Sequence, residues 1–143
     1  VVRDAQSAMD DLRGMPLLRY AREQMIARQI EAHLIREGLQ FEARFEIGSN
    51  LALMAMVARR IGWAVTTPLG LMRAVRFHDE IDAFALPFGE VHRTISLFAA
   101  SDWADRVPRD VAQTLRGLVQ AQMIDPAVAR MPWLAGSFRV LDG

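Results

Sequence analysis

Residues 45–68 read FEIGSNLALMAMVARRIGWAVTTP, and the fold turns on how this stretch divides. Into its start, Phe41, Ala43, Phe45 and Ile47 alternate with Glu42, Arg44 and Glu46, the period of two that belongs to a half-buried strand. Gly48, Ser49 and Asn50 end the alternation. Residues 51–58 are apolar on every face, too short a run to cross a bilayer, and Arg59 and Arg60 stop it, so it reads as a helix buried between layers. Residues 63–67 are rich in strand formers, and Pro68 ends them and opens the next helix in its first turn. Strand, helix and strand in so little chain make a βαβ unit. Its parallel strands bring two carboxyl ends, Gly48, Ser49 and Asn50 and then Thr66, Thr67 and Pro68, to one edge of the sheet, where open α/β sheets bind ligands.

Upstream of this unit, residues 1–13 are polar and mixed, a lead-in with a short helical turn before Gly14. Residues 15–20 form a brief apolar run with Pro16 at its start, where a strand tolerates proline. In residues 22–37, Met25, Ile26, Ile30 and Leu34 recur at helical spacing and Gly38 supplies the stop. Downstream, residues 69–75 continue as a short helix, residues 76–80 as a polar loop and residues 81–86 as a strand. Pro87 and Gly89 mark a break and a candidate hinge. Ile95, Leu97 and Ala99 then alternate with Thr94, Ser96 and Phe98 as a further strand. Pro108 opens a helix running to about Gln122, with Val111, Leu115, Leu118 and Val119 on one stripe. Asp125 and Pro126 start a short helix that Pro132 ends, and residues 137–143 read either as a last strand or as a frayed tail. The alternation of strands and helices predicts an α/β fold with a mostly parallel sheet flanked by helices.

Composition excludes several classes of function. At 143 residues, 52% hydrophobic and 24% charged, the chain is an ordinary globular protein able to bury about two thirds of its unfolded surface. Net charge is zero and no basic block exists that would follow a nucleic-acid backbone. All 17 basic residues are arginine, so a Schiff-base lysine and a Walker-type loop are both excluded from this stretch. The absence of cysteine removes disulfides, thiolate metal sites and cysteine nucleophiles, and favours a reducing, cytoplasmic compartment. No signal peptide or membrane span is legible.

Four segments together, MDDLRGMPLLRY, FEIGSN, MVARRIGWAVTTP and FALPFGEVHRTISLFAA, resemble the effector-binding domain of LysR-type transcriptional regulators, over Asp10 to about Val119. The resemblance implies two lobes of the type 2 periplasmic-binding-protein kind that clamp a small effector at their hinge. Residues 1–88 would be the second lobe, and residues 89–143 the hinge and an incomplete return into the first. It also implies that the rest of the first lobe, and the winged helix-turn-helix that contacts DNA, lie upstream of Val1. Subunits of the family associate through these domains as dimers or tetramers. One position departs from the pattern: the family usually closes the buried helix with glycine where this chain has Arg60. Arginine there either carries about 1 kcal/mol of left-handed strain or means that the helix ends differently.

Candidate ligand contacts follow from both readings. Gly48, Ser49 and Asn50 stand between a strand and a helix N-terminus, where amides and small polar side chains favour a carboxylate, although Ser49 or Asn50 equally suits an N-cap. Thr66 and Thr67 end the neighbouring parallel strand and resemble the family position beside the effector, against a plain strand-forming role. Arg22 follows the first strand at the same edge, where it would pair with a carboxylate in bidentate fashion or simply be solvated. His78, Asp79 and Glu80 point in different directions and have no second cluster at ligand spacing, so they read as a loop and not as a metal or acid-base site. His33 and His92 have no catalytic partner in the sequence. Met54, Met56 and Trp63 read as core, and Trp103, Trp133 and Phe138 as cover for the return segment. The expected protein senses a small, anionic metabolite, catalyses nothing and needs no cofactor or metal. A solute-binding protein of the same fold is the alternative, and an α/β enzyme using His78, Asp79 or Glu80 is a third.

Overall fold

A computed structural model describes residues 5–99 and 106–141, which fall in two compact units, Val1–Val91 and His92–Gly143. In the first unit, α1 (Ala5–Arg13) leads into β1 (Leu17–Tyr20), followed by α2 (Met25–Arg36), β2 (Ala43–Ile47), α3 (Asn50–Ala58) and the short α4 (Pro68–Met72). β1 and β2 pair in parallel. Leu17 stands opposite Ala43 and Leu18 opposite Phe45, so Arg44 is an extra residue taken up by a bulge, and Tyr20 faces Ile47. On the other side of β1, Trp63 forms a parallel bridge to Leu17. The Leu18 N–H donates to the Trp63 carbonyl at 2.8 Å and the Trp63 N–H to the Pro16 carbonyl at 3.1 Å.

The order across the sheet is therefore β2, β1, Trp63, with β1 at the centre. Leu17 and Leu18, whose side chains point to opposite faces, are each 1% exposed, so both faces of β1 are covered. The crossover from β1 goes to one neighbour and the crossover from β2 returns past β1 to the other. Right-handed connections in opposite directions put α2 and α3 on opposite faces, and the direction reverses at the carboxyl end of β1. One side of the core gathers Leu12, Leu17, Leu34, Trp63 and Phe88, with Phe41 set edge-on to Trp63 at 4.8 Å.

Local chemistry sets the helix ends. Gly38, at φ 65°, closes α2 as its left-handed cap, and the Leu39 N–H reaches the Leu34 carbonyl at 2.9 Å. The same motif closes α3. The Arg60 N–H donates to the Val57 carbonyl at 2.9 Å and the Ile61 N–H to the Met56 carbonyl at 3.1 Å, with Arg60 itself at φ 58°. Arg60 is thus a non-glycine residue in the left-handed region, and the helix ends where the glycine pattern would end it. Arg60→Gly is expected to raise stability by about 1 kcal/mol, read as a shift of the urea midpoint at unchanged slope. An unchanged midpoint would mean that the arginine is unstrained there.

Several expected elements differ. α1 is no lead-in: Ala8 and Leu12 are 4% and 3% exposed and belong to the core. Residues 63–67 make one bridge, at Trp63, instead of a strand, and among the described residues no strand pairs on their outer side. Residues 81–86 and 93–99 form no strand, since an alternating pattern without a partner strand gains no ladder. Ile95, Leu97 and Phe98 are 72%, 57% and 88% exposed as a result. The expected mostly parallel sheet is correspondingly reduced to two strands and a bridge, still of α/β type. β2, an edge strand, leaves Ala43 and Phe45 exposed, and α3 buries only Leu53 and Met54. The helix expected over residues 69–75 stops at Met72, and a 3-10 turn follows at Val75–Phe77.

In the second unit, α5 (Arg106–Val119) passes through a wider π turn, Gln120–Ile124, into α6 (Asp125–Arg130), and a 3-10 turn at Pro132–Leu134 ends the helical run. Ile124, Ala127, Met131 and Leu134 are buried. The stripe of α5 formed by Val107, Val111, Leu115 and Leu118 is exposed, as is Trp133, while Phe138 is half-buried. Residues 137–141 form no strand, and Trp103 lies outside the described residues. Among those described, no helix is long and apolar enough to cross a membrane.

Candidate functional site

β1, the loop into α3 and the chain entering α4 all end at the carboxyl edge of the sheet. There Tyr20, the last residue of β1, donates its hydroxyl hydrogen to Asn50 Oδ1 at 2.6 Å. Its oxygen lies 2.7 Å from Thr66 Oγ1. Asn50 Nδ2 donates to the Gly70 carbonyl at 2.8 Å, so one polar network joins β1, α3 and α4. Gly70 makes this approach possible: a Cβ there would stand 2.5 Å from Thr66 Oγ1 and 3.0 Å from Asn50 Oδ1. Tyr20 is 5% exposed, and burial pushes its phenol above its ordinary pKa while the hydrogen bond from Thr66 acts the other way. The phenol therefore stays protonated and able to donate.

The folded state favours the neutral phenol, so its contribution to stability is complete below the ordinary tyrosine pKa of 10.0 and is lost as pH rises through the raised folded value. Tyr20→Phe is expected to cost about 1–2 kcal/mol near neutral pH, by leaving Asn50 Oδ1 without its donor. It also removes Tyr20's share of the alkaline loss of stability. Urea unfolding at pH 7 and at pH 11 measures both. A variant as stable as the parent at pH 7 would mean that the network holds nothing together.

The other expected contacts surround this network. The Ser49 hydroxyl caps α3 by accepting the Ala52 N–H at 3.3 Å, and the Thr67 hydroxyl caps α4 by accepting the Gly70 N–H at 3.1 Å. Gly48 and Ser49 are exposed, while Asn50, Thr66 and Thr67 are half-buried. The Gly48 carbonyl accepts from Gln24 Nε2 at 2.7 Å, which ties the start of α2 to the loop. Arg22 is on this edge too, but its Nε donates to Glu46 at 2.7 Å across an exposed pair, so the predicted bidentate partner is met by a carboxylate of the chain itself. Five of the six expected residues thus lie around one network and Arg22 is paired beside it. Tyr20 and Gly70 were not legible as site residues. A tyrosine ending a strand looks like core, and only its polar hydroxyl hinted at a partner. A small void of about 20 Å³, room for one water, lies between β1 and α2 and is lined by Tyr20 and Arg22 among others.

Two of the histidines, His78 and His33, do structural work. His78 Nε2 donates to the Leu71 carbonyl at 2.9 Å at the end of α4. His33 is 3% exposed, and its Nε2 donates to the Phe88 carbonyl at 2.8 Å while Arg36 donates to its Nδ1 at 3.2 Å. It fastens α2 to the chain just before Gly89, which is at φ 84°. Among the described residues, no group of three metal-ligating side chains comes together. Comparison with known proteins finds no family model, no curated protein and no solved structure that matches this chain.

Proposed function

We propose that this chain is the effector-sensing part of a bacterial DNA-binding regulator of the LysR type. Residues 1–88 then form the second lobe of a type 2 periplasmic-binding-protein fold, and residues 89–143 form the hinge and the return into the first lobe. One observation carries the reading: Tyr20, Asn50 and Thr66, far apart in sequence, converge at the carboxyl edge where the sheet reverses direction, with Ser49 and Thr67 beside them. Open α/β sheets bind small ligands at that place, and hydroxyls with a helix N-terminus suit a carboxylate. The order of the four resembling segments supports the family.

In this reading the protein is cytoplasmic and catalyses nothing. A small anionic metabolite binds one arrangement of the lobes more tightly than the other, and dimers or tetramers pass the shift to DNA-binding domains. The test is the DNA preceding the Val1 codon, translated in frame. A winged helix-turn-helix within roughly one to two further domain lengths supports the proposal. A basic start, an apolar core and a small-residue cleavage site there would overturn it in favour of an exported solute-binding protein. An upstream stretch with neither also overturns it.

A further inference from the structure

We draw no further inference here: the strongest candidate, the exposed apolar stripe of α5 formed by Val107, Val111, Leu115 and Leu118 in the second unit, carries nothing because nothing in the structure shows what covers it.

Discussion

Leu18→Ala should lose about 3–4 kcal/mol of stability, within the range for truncating a fully buried leucine. Leu18 is 1% exposed on the central element of the sheet. Its backbone N–H is also the one that holds the Trp63 carbonyl, so the side chain packs at the seam where three stretches of chain meet. Phe45→Ala is the comparison, because Phe45 lies opposite Leu18 on β2 yet is 45% exposed. Truncating it should cost under about half as much, despite the larger side chain. Urea midpoints of the two variants decide the matter, and equal losses would mean that β2 is covered in solution as well as β1.

Gly62→Ala should cost about 3 kcal/mol, the upper part of what overpacking does. A Cβ on Gly62 would lie 2.3 Å from the Pro16 carbonyl oxygen and 3.1 Å from Leu18 Cγ. The first contact is with backbone, and that backbone belongs to a proline whose φ is locked. The same carbonyl accepts the Trp63 N–H, so relieving the clash means pulling Trp63 away from β1 and out of the core it shares with Leu17 and Phe88. The expected reading is a fall in melting temperature of about 10 °C for a domain of this size. A loss below about 1 kcal/mol would show that residues 61–63 can shift without breaking the bridge. Gly62 carries no positive φ. Only the close passage of β1 requires it to lack a side chain, and nothing in the local sequence says which segment passes there.

That contrast runs through the whole chain. Where an element depends on neighbours within a turn or two, the residues announce it: the helical spacing of Ile26, Ile30 and Leu34, the stop at Gly38, the Ser49 cap and the proline opening α4 all stand as read. Period-two patterns were less informative. The alternation at residues 41–47 became a strand because β1 lies beside it, whereas the equally regular alternation at residues 93–99 did not, since no strand pairs with it among the described residues. Burial was harder still. Alternation says that two faces differ but not which one is covered, and on β2 the apolar face remains largely open.

For the candidate site, sequence alone pointed to the edge: a strand end and a second extended stretch, each followed by a helix, were read as bringing Gly48, Ser49, Asn50, Thr66 and Thr67 to one side of a parallel sheet, although the second stretch makes only the Trp63 bridge. Only the tertiary structure decided that Tyr20 is their common partner and that Gly70 lets the network close, because these contacts span 30 residues to Asn50 and 46 to Thr66. It likewise occupied Arg22 with Glu46, 24 residues away. Caps and turns draw on hydrogen bonds whose two ends lie on the same short stretch, so composition and spacing reveal them. A side-chain hydroxyl has no preferred partner until the strands pair, and the direction in which it gives its hydrogen depends on what the next group in the network is able to accept.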